Sequence, residues 1–77
     1  MPDTHLDLRG TPCPLNYIRS CLALERLSIG AVLLVDLDRG EPEQMVAEGL
    51  RAKGHSVTSQ DADDGQDGVV RLRIVRG

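Results

Sequence analysis

Seventy-seven residues make one small domain, which buries only about 60% of the surface its unfolded chain exposes; that leaves room for one sheet and one layer of helices but not for a deep substrate cleft. A single aromatic residue, Tyr17, and a net charge of -3 from nine Lys and Arg against twelve Asp and Glu deprive the chain of the stacking platforms and phosphate-gripping charge of nucleic-acid binders. No stretch approaches the roughly 20 apolar residues that span a bilayer, and residues 1–8 carry acids instead of the apolar run of a signal peptide, so a soluble, cytoplasmic protein with reduced thiols is expected.

In chain order, Thr4-His5-Leu6-Asp7-Leu8 alternates polar and apolar, as a half-buried strand does. Gly10 to Pro12 interrupts it, and Pro14 opens a helical stretch to about Leu27. There Asn16, Arg19, Ser20, Ala23 and Arg26 recur at threes and fours. This spacing predicts a solvent stripe, with Tyr17, Ile18, Cys21, Leu22 and Leu24 turned inward. Gly30 suits the stop after that helix. Ala31 to Leu37 is the aliphatic run of a central strand. Asp38-Arg39-Gly40 reads as a loop. Glu41-Pro42-Glu43 reads as the start of a second helix, since Pro lacks a donor that would go unpaired there and acids favour the positive dipole end. That helix runs to about Lys53, with Val46, Gly49 and Leu50 as its apolar stripe and Gly54 as its stop. His55 to Gln60 reads as a third strand. Asp61 to Gly68 reads as a solvated acidic loop, and Val70, Leu72 and Ile74 as the buried face of a fourth strand. Strands joined by a helix run parallel with right-handed crossovers, and the last two strands form a hairpin. The expected fold is an α/β two-layer sandwich, βαβαββ, with a mixed four-stranded sheet and both helices on one face, in a single domain over residues 1–77.

The residue that carries chemistry is Cys13, in Gly10-Thr11-Pro12-Cys13-Pro14. Pro14 fits the first helical position, which makes Cys13 the N-cap. Cysteine is a poor N-cap beside Ser, Thr, Asp or Asn. A thiol at a helix N-terminus, however, has its pKa lowered and its sulfur made nucleophilic. Cys21, on the side expected to face the core, reads as a small hydrophobe. Eight residues of helix would separate the two by about 12 Å, beyond the roughly 7 Å that a disulfide allows. Cys13, Cys21, His5 and His55 lack zinc-type spacing, and the glycines form no nucleotide-binding pattern, so neither a metal nor a cofactor is expected. His5 and His55 read as exposed strand-end residues. Arg9 and Arg19 are candidates for holding an anionic partner segment or the sulfur anion. Asp38, Arg39, Glu41 and Glu43 should lie at the carboxyl end of the strands, the same end as the Cys13 loop.

Leu6-Asp7-Leu8-Arg9-Gly10-Thr11-Pro12-Cys13-Pro14, the Leu-Ala-Leu at 22–24 and the Gly-Glu-Pro at 40–42 resemble the TusA/SirA-like sulfurtransferase family. The resemblance extends over essentially the whole chain. It implies the βαβαββ fold and a sulfur carrier that accepts sulfane sulfur as a persulfide on Cys13. The donor would be a protein such as a cysteine desulfurase, and the sulfur would pass to an acceptor sulfurtransferase in tRNA thiolation, cofactor assembly or sulfur oxidation. Gly10, Pro12 and Pro14 fall on the motif, with Arg9, Arg19 and Asp38 as candidates for partner docking. Asn16 stands where the motif's second proline is usual. It is expected to be an exposed first-turn residue beside the sulfur that influences partner choice. Two other readings compete: a regulatory or interaction domain in which Cys13 is incidental, and a small RNA-binding domain relying on Arg71, Arg73 and Arg76, against which acidic charge and scarce aromatics count.

Overall fold

The computed structural model describes residues 4–12, 14–61 and 68–77. Its elements are β1 (Thr4–Asp7), α1 (Leu15–Glu25), β2 (Val32–Asp38), α2 (Glu41–Ala52), β3 (Ser56–Asp61) and β4 (Val69–Val75). The sheet order is β1-β2-β4-β3. β1 runs parallel to β2, while β2 and β3 each run antiparallel to β4. This is the expected two-layer α/β sandwich with a mixed sheet, and the expected hairpin is β3–β4. Most of the expected acidic loop, residues 62–67, lies outside the described residues.

The period-two pattern fixes which side of the sheet is dry. Leu33, Val35 and Leu37 of β2 pair with Ile74, Leu72 and Val70 of β4, and all six are buried. Leu24 of α1 and Val46, Ala47 and Leu50 of α2 close over them to form one aliphatic core. The two helices meet at Tyr17 and Gly49. A Cβ on Gly49 would lie 2.5 Å from the Tyr17 ring, so the missing side chain lets α1 and α2 approach. Lys53 Nζ sits over the other end of this contact, 5.8 Å from the ring centroid.

Among the described residues, the opposite sheet face carries no helix. It presents His5, Leu34, Asp36, Arg71 and Arg73, brought together by the pairings His5–Leu34, Asp36–Arg71 and Leu34–Arg73. Asp36, the one acid inside the aliphatic run of β2, is only 7% exposed. Its carboxylate accepts from Arg71 Nε at 2.8 Å and from Arg71 Nη2 at 3.4 Å, and lies 2.8 Å from His5 Nε2. Burial pushes the Asp36 pKa up, but the hydrogen bonds from Arg71 and His5 outweigh it and leave the carboxyl below its ordinary value. Among the described residues, no helix is long and apolar enough to cross a membrane.

Candidate functional site

The loop after β1 is built by local hydrogen bonds. Leu8 N–H donates to Asp36 O at 2.9 Å, extending the β1–β2 register one residue past the strand, and Thr11 N–H returns to Leu8 O at 3.1 Å. That closes a four-residue turn whose third position needs positive φ, and Gly10 supplies it at φ 74°. Asp7 Oδ1 accepts from the Arg9 backbone N–H at 3.1 Å, and its two oxygens take Arg9 Nε and Nη2 at 2.9 and 2.8 Å. The Arg9 side chain therefore lies against Asp7. Its hydrogen bonds hold the Asp7 carboxyl down at about 2. The contact is intact above the ordinary carboxylate range and is lost as pH falls through that value.

Asp38, at the end of β2, accepts from Gly10 N–H through Oδ2 at 3.0 Å. The structure thus joins Arg9, Gly10 and Asp38 at the carboxyl end of the parallel pair, as expected for α/β loops. Arg19 is not part of this group; it stands exposed on α1. Glu41 and Glu43 occupy the first turn of α2.

Cys13 lies outside the described residues, so the geometry here is that of its neighbours. Helix α1 starts one residue later than the sequence suggests, with Pro14 as its cap and Leu15 as its first residue. Pro12 and Pro14 are both exposed. Their carbonyls accept from Asn16 N–H at 3.2 Å and Ile18 N–H at 3.0 Å. The first turn of α1 contains no acidic residue, so no side chain there offsets the positive end of the helix dipole.

The expected orientation of α1 holds for Tyr17, Cys21 and Leu24, which pack into the core, and for Arg19 and Arg26, which are exposed. It is overturned elsewhere on the helix. Asn16 and Ser20, assigned to the solvent stripe, are fully buried, while Ile18 and Leu22, assigned to the core, are 44% and 54% exposed. Small polar groups tolerate this because the helix satisfies them. Ser20 Oγ donates to Asn16 O at 2.9 Å, and Asn16 Oδ1 accepts from Tyr17 N–H at 2.7 Å, the local bonding open to these side chains. Asn16 is therefore not a surface residue beside the sulfur. Its Nδ2 is buried without a partner among the described residues, an arrangement that costs about 1–3 kcal/mol.

Replacing Asn16 by proline deletes that orphan donor, but also the N–H bond to Pro12 and the bond its Oδ1 accepts from Tyr17 N–H, each worth about 1 kcal/mol. The two effects oppose each other, so Asn16→Pro should leave the melting temperature level or a few degrees higher. A calorimetric fall of more than about 10 °C, on the scale of roughly 4–8 °C per kcal/mol for a domain this size, would show that the amide is structural.

Cys21 is a free, half-buried thiol packed against the core. The Cys21 thiol, one helical turn away, pushes the Tyr17 phenol pKa up. His5 is exposed but engaged with Asp36. His55 is half-buried, its Nδ1 accepting from Gly77 N–H at 3.0 Å. Of the arginines that an RNA-binding reading needs, Arg71 is held by Asp36. Sequence reasoning passed over Asp7 and Asp36, although an acid in an otherwise aliphatic strand was the available signal for the second. Among the described residues, no group of three or more His, Cys, Asp or Glu could hold a metal.

Residues 4–76 match the family model of sulfurtransferase TusA. The chain belongs to the TusA family. A relative described as a "Putative sulfur carrier protein", from Archaeoglobus fulgidus, is 35% identical over 54 residues, covering 70% of this chain and 61% of its own length. The chain therefore spans less than two thirds of that relative. The crystal structure of a SirA-like protein from Desulfitobacterium hafniense superposes with a TM-score of 0.80 at 28% identity, over 96% of this chain and 97% of the other. The fold and the family inferred from the Cys13 motif are thus those found.

Proposed function

We propose that this protein is a sulfur carrier that accepts sulfane sulfur as a persulfide on Cys13 and relays it to an acceptor protein in the cytoplasm. The observation that carries this reading is family membership over residues 4–76, joined to a cysteine two residues ahead of a helix whose first turn lacks any acid. In the loading step, the Cys13 thiolate attacks the terminal sulfur of a donor persulfide. A Cys13 Sγ–S bond forms as the donor's S–S bond breaks. The donor's inner sulfur leaves with the electron pair and ends as a thiol by taking the persulfide proton. Sulfane sulfur changes carrier without net oxidation or reduction. Positive dipole density favours both the attacking thiolate and the anionic persulfide.

The Gly10 turn, tied to Asp38, and the Arg9–Asp7 pair support this reading as a fixed approach to Cys13. The docking roles suggested for Arg9, Gly10, Pro12, Pro14, Arg19 and Asp38 belong to the same proposal. Asn16, being buried, acts there as a positioning residue beneath the helix start. Service in tRNA thiolation is one destination for the sulfur.

Incubation with a cysteine desulfurase and L-cysteine, followed by intact-protein mass spectrometry, should show the gain of one sulfur atom that a thiol reductant removes. An unchanged mass with an active desulfurase and with inorganic polysulfide alike would refute the carrier reading.

A further inference from the structure

Asn16 carries a donor that the fold does not use. Its side chain is fully buried, and the Oδ1 end of its amide is pinned, accepting from Tyr17 N–H at 2.7 Å. The Nδ2 end has no hydrogen-bond partner among the described residues. An unpaired buried donor costs about 1–3 kcal/mol, an apolar side chain would carry no such cost, and a group of this kind in a native fold calls for a reason. The proline usual in the motif at this position has no side-chain donor, so the amide is a departure from the motif.

Asn16 lies in the first turn of α1, where backbone N–H groups ordinarily hold an anion. Here those groups are engaged within the fold. Asn16 N–H donates to Pro12 O at 3.2 Å and Ile18 N–H to Pro14 O at 3.0 Å, while Tyr17 N–H is taken by Asn16 Oδ1. Pro14 has no N–H to give. The dipole favours negative charge at this end, and the buried donor still in reserve there is Nδ2. The bond from Asn16 N–H to Pro12 O closes over three residues, the first of which is Cys13. Residues three apart across a helical turn are neighbours, with about 5–6 Å between Cβ atoms. A persulfide carries its outer sulfur about 2 Å beyond Sγ, a span that reaches an amide at the neighbouring position.

We propose that Asn16 is a sulfur-binding residue: its Nδ2 donates to the outer sulfur of the Cys13 persulfide, so the donor that the fold leaves unpaired gains its partner when sulfur is loaded. The inference rests on the carrier reading and adds the group that holds the cargo. A carboxamide donates a hydrogen bond without giving up its proton. The outer sulfur is therefore held as an anion and stays transferable. Because Nδ2 is buried, the sulfur it holds is drawn out of water and away from small nucleophiles.

Asn16 is the one asparagine in the chain, so protein labelled with nitrogen-15 asparagine gives a single side-chain NH2 pair by NMR. After loading with inorganic polysulfide, checked by intact mass, one proton of that pair should move downfield by several tenths of a part per million. It should also exchange with water at least fivefold more slowly. A thiol reductant should reverse both changes, and Cys13→Ser treated in the same way should show neither. The second arm is chemical. Cyanide attacks the outer sulfur, leaves with it as thiocyanate and releases the Cys13 thiolate. Asn16→Ala and Asn16→Pro, loaded to the same extent, should lose sulfur to cyanide at least fivefold faster than wild type. The wild-type spectrum decides the matter alone if a variant fails to fold. Loaded wild type whose Asn16 protons do not move would overturn the contact and leave the carrier reading standing. A magnetisation contact from Nδ2–H to a bound water that persists unchanged on loading would also overturn it, because water would then be the partner. Cyanide rates equal to wild type in both variants would count against it equally. A wild type that neither polysulfide nor a cysteine desulfurase can load would sink the carrier reading and this inference with it.

Discussion

Cys13→Ser should abolish sulfur loading completely while leaving the fold intact. Serine offers no sulfur to extend, and Cys21, half-buried against Tyr17 and the core, is no substitute acceptor. Stability should hold, since the cap of α1 is Pro14 and the substitution exchanges a single side-chain atom. The same asymmetry should appear in alkylation of the native protein near neutral pH, with Cys13 labelled much faster than Cys21. Loading of the serine variant to the wild-type extent, with the added sulfur on Cys21, would reverse the assignment.

Asp36→Ala should lower stability substantially. It removes a 7%-exposed carboxylate and strands Arg71, whose side chain is 20% exposed. Breaking a fully buried pair costs about 3–5 kcal/mol. Partial solvent access here reduces that to about 2–3 kcal/mol, or roughly 10–20 °C in melting temperature. The loss should reach the site as well, because His5 ties β1 to Asp36 and the Leu8 N–H bonds to the Asp36 carbonyl. The pH dependence has a definite sign. The folded Asp36 carboxyl lies below its ordinary value of 3.8, so its contribution is fully present above that value and fades as pH falls through the folded value. Thermal melts between pH 7 and pH 2 should therefore converge for wild type and Asp36→Ala at the acid end. A variant within about 3 °C of wild type at pH 7 would show that the Asp36–Arg71–His5 cluster contributes nothing.

Strand β4 was legible because a period of two leaves little freedom, so Val70, Leu72 and Ile74 can only share one face; the aliphatic run of β2 announced a central strand but not that Leu33, Val35 and Leu37 mark its dry side. Pro42 with flanking acids located the start of α2 equally well. The orientation of α1 was legible only in part: Tyr17, Cys21 and Leu24 turn inward as expected, while Asn16, Ser20, Ile18 and Leu22 do not follow the expected faces. Periodicity identifies two faces of a helix but assumes that the more apolar one is buried. Asn16, Ser20 and Ala23 are small enough to lie against the sheet, and the first two recover hydrogen bonds within their own helix. The larger Leu15, Ile18 and Leu22 were left for an outside surface. Asp36 escaped notice for a related reason, since its partners come from strands 31 and 35 residues away in sequence. The motif around Cys13 pointed to the family, and the turn that supports it needed the tertiary bond between Gly10 and Asp38, which no local pattern announces.

The most direct test of the carrier role is to locate the sulfur. Wild-type protein loaded by a cysteine desulfurase with L-cysteine should be alkylated to trap persulfides, digested and sequenced by mass spectrometry. The extra sulfur should sit on the peptide containing Cys13, with the Cys21 peptide unmodified. Sulfur found on Cys21, or on neither cysteine while the desulfurase turns over, would contradict the account.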